Sequence, residues 1–181
     1  MSRTFRAASV AAVAAVVGTV LTAGLLTGCA PGTAPVTPAV PAASGVAAGG
    51  TLQRPLYSLV VPQGWTDVGS SDTSGQIDAY LARGGMSSGV SFSVYIDASG
   101  RSRDTLVQQA KAAMPGATDA EAVMVGGKKL TGLQAQAEGL VLHQYYVETG
   151  GKLVALNWSW PADDQTASGE VQQILDSLTW K

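Results

Sequence analysis

A chain of 181 residues with 11 basic and 13 acidic side chains has room for one ordinary domain beside its tails. Its formal charge of -2 has the wrong sign for a nucleic-acid binder that works by neutralising phosphates. One cysteine allows no internal disulfide, and one cysteine with one histidine leaves too few soft ligands for a zinc site, so neither a metal nor another cofactor is expected.

The chain opens with Arg3 and Arg6, and then runs uncharged from Ala7 to Gly28 through Ala, Val and Leu. A positive start, an apolar stretch and small residues at its end make a secretory signal. The closing Leu26-Thr27-Gly28-Cys29 resembles the lipobox of bacterial lipoproteins, and the chain's lone cysteine lies at that position. The resemblance implies a signal peptide over residues 1–28, cleavage before Cys29, and acylation of the Cys29 thiol and of the new amine. An uncleaved transmembrane helix is the alternative, since ~20 apolar residues span a bilayer. Either way the rest of the chain lies outside the cytoplasm. Two or three acyl chains exceed the single chain that binds only marginally, so the chain is expected on the extracytoplasmic face of the cell membrane, held by lipid. Losing Arg3 and Arg6 takes the charge from -2 to -4, which leaves the anchoring to the lipid.

Residues 29–51 read as the lipidated cysteine and a tether rich in Pro and Ala. Between Ala30 and Gly50 there are four prolines and neither a charge nor an aromatic ring. Such a segment builds no core, and extended at ~3.1 Å per residue it reaches roughly 65 Å.

The folded domain is expected over residues 52–181. Leu56 to Val61 reads as a strand stopped by Pro62, and Pro62-Gln63-Gly64-Trp65 as a turn from which the indole packs back. Ile77 to Arg83 is a second strand, with Ile77, Ala79 and Leu81 on one face. Val90 to Asp97 is the clearest, with Val90, Phe92, Val94 and Ile96 facing one way and Ser91, Ser93, Tyr95 and Asp97 the other. Ser102 caps a helix over Arg103 to Met114, ended by Pro115-Gly116. Glu121 to Val125, Lys129 to Ala137 (interrupted by Gly132), Leu140 to Thr149 and Lys152 to Trp160 are further extended runs, with Gly126-Gly127 and Gly150-Gly151 as turns. Val171, Ile174, Leu175 and Leu178 mark a closing amphipathic helix that starts between Asp163 and Gly169, Ser168 being one cap candidate. The fold class is therefore α+β, an antiparallel sheet flanked by helices.

Four features together resemble the actinobacterial LpqN-type lipoproteins: the strand ending in Val61-Pro62-Gln63-Gly64-Trp65, the strand and helix from Val90 to Met114, the Leu130-Thr131-Gly132 step into the hairpin around Tyr145-Tyr146-Val147, and the closing Ile174-Leu175-Asp176-Ser177-Leu178. The resemblance implies a Mog1/PsbP-like α/β/α sandwich and an accessory role in the cell envelope without shared catalytic residues.

Candidate chemistry is sparse. Gly85-Met86-Ser87-Ser88-Gly89 has the G-x-S-x-G pattern of an esterase elbow, with His143 as the available base, but that elbow needs a strand before the serine and a helix after it. Asp163-Asp164 suits a helix N-terminus better than a cation. The pairs Lys128-Lys129 and Arg101 with Arg103 read as solvated turns. Trp158 and Trp160 point the same way from one strand, either into the core or as an aromatic wall for a lipid tail or a sugar ring. The expected role is a non-enzymatic, lipid-anchored binding protein for a lipid, a glycolipid or an envelope protein. A serine hydrolase using Ser87 and His143, or a purely structural envelope protein, are the alternatives.

Overall fold

The period-two runs of the sequence pair into one large antiparallel sheet, and the two helical runs cover its opposite faces. The computed structural model describes residues 48–69, 76–85 and 87–181. The signal peptide over 1–28, Cys29 and nearly all of the tether lie outside the described residues. Among those described, the elements in order are β1 (Thr51–Gln53), β2 (Tyr57–Val60), β3 (Trp65–Asp67), β4 (Ile77–Arg83), β5 (Ser91–Asp97), α1 (Arg103–Ala113), β6 (Thr118–Val125), β7 (Lys128–Ala137), β8 (Leu140–Thr149), β9 (Lys152–Pro161), α2 (Gln165–Ser177) and β10 (Thr179–Trp180). The large sheet has the order β3-β4-β5-β9-β8-β7-β6, and β1-β2-β10 form a second, smaller one. The fold class is the α+β arrangement expected.

Both Gly-Gly pairs turn hairpins: Gly126 and Gly127 have φ of 54° and 78°, and Gly150 and Gly151 have 58° and 70°. Two consecutive positive φ values match the right-handed twist of the strands they join. One sheet face carries Phe92, Val94, Leu156, Trp158 and Tyr145, which cluster with Ala167, Val171, Ile174 and Leu175 of α2 and with Leu52, Tyr57 and Leu59 of the small sheet. On the other face, Leu106 of α1 packs with Tyr146, Leu153 and Ala155. Burial raises the pKa of Tyr146 to about 12, so its hydroxyl stays protonated and donates to the Leu106 carbonyl at 3.4 Å.

The helix starts follow from their caps. The Ser102 Oγ accepts from the Thr105 amide at 3.2 Å. For α2 the cap is Asp164, not Ser168: its Oδ1 accepts from the amides of Thr166 at 3.1 Å and Ala167 at 3.0 Å. Asp164 also binds Arg83, whose other nitrogen reaches Glu170 at 2.8 Å, so the cap fastens α2 to the end of β4. Asp164→Ala is expected to destabilise the protein by removing the cap, read as a lower urea midpoint with an unchanged slope. Asp164→Asn keeps an acceptor for the amides and is expected to lose less.

The structure differs from the sequence reading in several places. Trp65 opens the edge strand β3 instead of ending in a turn. Its partners run from Arg83 to Leu81, which is too short a ladder to show as alternation. Strands β1 and β10, of three and two residues, are set by pairing to β2 and are equally brief. Strand β6 begins at Thr118, earlier than its apolar residues suggest, because its first positions are exposed on the edge of the sheet. Pro161 ends β9 from inside, opposite Leu140. A bulge between Ile77 and Ala79 breaks the strict alternation of β4.

Candidate ligand-binding face of the sheet

The register sets an aromatic row across the face that α2 shares. Phe92 of β5 lies opposite Trp158 of β9, which lies opposite His143 of β8. Trp160 stands opposite Val141 one step along the same face. Rings stack at each step: Phe92 with Trp158 at 6.1 Å, Trp158 with Tyr145 at 5.0 Å and with His143 at 5.5 Å, and His143 with Trp160 at 5.4 Å. The two tryptophans named from sequence are thus brought together through His143 and differ in exposure. Trp158 is 5% exposed and belongs to the core, whereas Trp160 is only half-buried at its margin. Burial lowers the His143 pKa, so the ring is neutral at pH 7, and its buried Nδ1 has no hydrogen-bond partner.

Beyond His143 the same face continues as a polar shelf. Gln134 lies opposite His143, Gln136 opposite Val141, and Thr118 opposite Gln134. All three polar residues are exposed. With Gly116, Val141 and His143 they bound an open cleft of about 320 Å³, and none of its lining residues carries a formal charge. The core row therefore grades from buried aromatic rings, through a half-buried histidine and tryptophan, into exposed amides and a hydroxyl. The amides are legible in the sequence only as the alternation Gln134-Ala135-Gln136-Ala137, which by itself reads as an ordinary solvated strand face.

A second cleft, of about 260 Å³, lies beside Asp97, Arg101, Glu148 and Lys152. Asp97 is 5% exposed, and its Oδ1 accepts from Arg101 at 2.7 Å and Ser99 at 2.7 Å. Burial alone would raise its pKa, but these donors and the Arg101 amide hold it at about 2. A depressed carboxylate contributes stability above its unfolded pKa and loses it as pH falls through the folded value. Stability is therefore expected to drop between about pH 4 and pH 2, and Asp97→Asn to flatten that part of a urea-midpoint profile. The arginine here is taken up by the fold, since it also reaches Gln109 at 3.0 Å and Tyr95.

A third polar group is structural in the same sense. Arg54 meets the buried carboxylate of Asp67 at 3.2 Å and the partly exposed carboxylate of Asp78 at 3.6 Å. Tyr57 donates to Asp78 at 2.8 Å; burial first, and the adjacent carboxylates next, push its pKa far up.

Ser87 is exposed in the loop between β4 and β5, so strands stand on both sides of it and the strand-to-helix elbow is not formed there. The neighbouring Ser88 serves the turn, donating to the Gly85 carbonyl at 3.0 Å and accepting from the Val90 amide at 3.2 Å. Asp163 precedes the α2 cap, as a helix-terminal charge should. Among the described residues, no group of three or more His, Cys, Asp or Glu is placed to hold a metal ion, and no helix is long and apolar enough to cross a membrane.

No family model and no curated protein matches this chain. Among solved structures it is similar to a cyanobacterial PsbP (CyanoP) from Synechocystis, at 16% identity and a TM-score of 0.48, over 69% of this chain and 86% of that one. A structure from Bacteroides thetaiotaomicron is similar at 14% identity and 0.46, over 69% and 45% of the two chains. LpqN of Mycobacterium tuberculosis, described as involved in cell envelope biogenesis, is similar at 14% identity and 0.39, over 69% and 83%.

Proposed function

We propose that this chain is an LpqN-type, lipid-anchored binding protein of the cell envelope, held to the extracytoplasmic face of the membrane through Cys29. It docks an envelope component, a lipid or glycolipid or a protein, on the open half of the aromatic sheet face and does no catalysis. The observation that carries the binding role is the graded exposure along Trp158, His143 and Trp160, with His143 the one of the three rings that lines the cleft. The anchor rests on the placement of the lone cysteine after Leu26-Thr27-Gly28. Lipid on Cys29 and a long tether suit a domain that samples the space above the membrane for something it binds.

Fractionation of cells that make the full chain, followed by intact mass measurement, tests the anchor. The wild-type chain is expected in the membrane fraction, beginning at Cys29 and heavier by a diacylglycerol, with or without a further acyl chain. Cys29→Ser is expected to abolish both the added mass and the cleavage before residue 29. A wild-type chain that retains residues 1–28 on an unmodified Cys29 would refute the anchor.

A further inference from the structure

Without Arg3 and Arg6 the net charge falls from -2 to -4, but that charge is unevenly spread. In the antiparallel sheet, β5, β6 and β8 end on the side where β4, β7 and β9 begin. Both Gly-Gly turns lie at that end, with Lys128 and Lys129 after one and Lys152 after the other. Arg101 and Arg103 follow β5 there. Arg54 donates to the Asp78 carbonyl near the start of β4 at 3.1 Å, and Lys181 donates to the Arg54 carbonyl at 2.8 Å, which brings both to the same end. Among the described residues, every basic side chain except Arg83 and Lys111 gathers here.

Much of the acid at this end is taken up by the fold. Asp67 and Asp78 meet Arg54, and the buried Asp97 meets Arg101. Asp104, Glu148 and Asp176 are exposed near it, against exposed Arg103, Lys129, Lys152 and Lys181 and half-buried Lys128. The opposite end has the other sign. Glu138 sits in the β7–β8 turn, Asp163 and Asp164 lie between β9 and α2, and Glu170 shares Arg83 with Asp164. Strands β7, β8 and β9 have ten residues each, so the two ends stand ~33 Å apart. At physiological salt an exposed charge acts over ~8 Å. An anionic surface that touches the basic end is therefore screened from the far acids, and the negative net charge does not oppose the contact. The glycines at the two tips carry no side chain to hold such a surface off.

We propose that this end docks on an anionic phospholipid surface through Lys128, Lys129 and Lys152, with Arg103 and Lys181 beside them. The proposal rests on the anchor at Cys29. So small an excess of cations does not hold a free protein on a membrane, but a domain already tethered there needs only a bias between its orientations. A lipid surface is the partner that an anchored domain always has within reach. Docked in this way, the far end points outward. The cleft opens there, since Gly116 and Thr118 precede or begin β6, Gln136 is near the end of β7, and Val141 near the start of β8.

The test uses the full chain, purified with its anchor and inserted into vesicles of phosphatidylcholine, or of phosphatidylcholine and phosphatidylglycerol in equal parts. A membrane-impermeant amine reagent, read by peptide mass spectrometry, reports the exposure of each lysine. On the anionic vesicles, labelling of Lys128, Lys129 and Lys152 is expected to fall about fivefold or more, labelling of Lys111 to stay unchanged, and high salt to restore the three. Lys129→Glu/Lys152→Glu leaves Lys128 as the reporter and is expected to abolish its protection. Both substituted positions are exposed, so that variant is expected to keep the wild-type melting temperature. Equal labelling of the three lysines on both vesicle types, in chains that float with both, would overturn the docking and leave the anchor standing. Chains that do not float with phosphatidylcholine vesicles would remove the anchor and the docking with it. Protection of Lys111 to the same extent would show adsorption without orientation and overturn the proposal. Protection found in intact cells but on neither vesicle would put an acidic protein in the place of the lipid.

Discussion

Trp65→Ala is expected to lower the unfolding free energy by about 4 kcal/mol, from the usual range for emptying a fully buried aromatic site. Trp65 is 0% exposed, packed in the cluster that joins the small sheet, α2 and the large sheet. Its indole also donates to Glu170 of α2 at 3.1 Å, and the same carboxylate binds Arg83 at 2.8 Å. Removing the ring opens a cavity and takes one donor from a half-buried ionic pair. Trp65→Phe separates the two parts, because it keeps most of the packing and loses the donor; about 1–2 kcal/mol is expected for it. Urea denaturation of the three chains reads both values. A loss under about 1 kcal/mol for the alanine variant would show that the β2–β3 corner is not packed as described.

The second large effect is expected at Gly132. In β7 this residue stands opposite Tyr145 of β8 and Ala120 of β6. The Tyr145 hydroxyl reaches across to the Glu121 carbonyl of β6 at 2.7 Å. That carbonyl lies where β6 bulges between Ala120 and Val123. A Cβ on residue 132 would collide with the Gln144 carbonyl and lie 2.7 Å from the Tyr145 Cα. Both atoms are backbone, so the strands themselves must part. Gly132→Ala is therefore expected to cost about 3 kcal/mol, at the upper end of ordinary overpacking. The Tyr145 bond to Glu121 should be lost with it, visible as a change in the tyrosine ring resonances. A variant within about 0.5 kcal/mol of wild type, with those resonances unmoved, would contradict the close approach.

Gly132 also shows how far the sequence can be read. In the sequence it reads as a break in a strand, because a missing side chain and a reserved space are the same letter. The structure makes it the trough over which Tyr145 passes, a relation between β6, β7 and β8 that no local pattern contains. The long elements are legible for the opposite reason. Val90 to Val94 alternates because Val90, Phe92 and Val94 enter the larger core while Ser91 and Ser93 are only half-buried, and the α1 and α2 stripes repeat at helical spacing because one side of each helix is buried; the alternation breaks at half-buried Ile96 and buried Asp97. The two-residue β10 and the three-residue β1 and β3 are held by partners elsewhere in the chain, so their own residues carry almost no signal. For the site, Trp158 and Trp160 are visible as a same-face pair. What distinguishes them, burial of one and partial exposure of the other, depends on where α2 and the small sheet stop. The contribution of Gln134 and Gln136 depends on the register of β7 against β8.

The proposed anchor at Cys29 and the open sheet face belong together: an anchored domain presents a binding surface above the membrane. In-cell photo-cross-linking tests this most directly, with benzoylphenylalanine placed at residue 134 on the open face or at residue 173 on the exposed side of α2 in the full chain. A discrete product with an envelope component is expected from position 134 only, from chains recovered in the membrane fraction, and is expected to disappear with Trp160→Ala. Equal products from both positions, or none from position 134 in membrane-anchored protein, would contradict a binding role for this face.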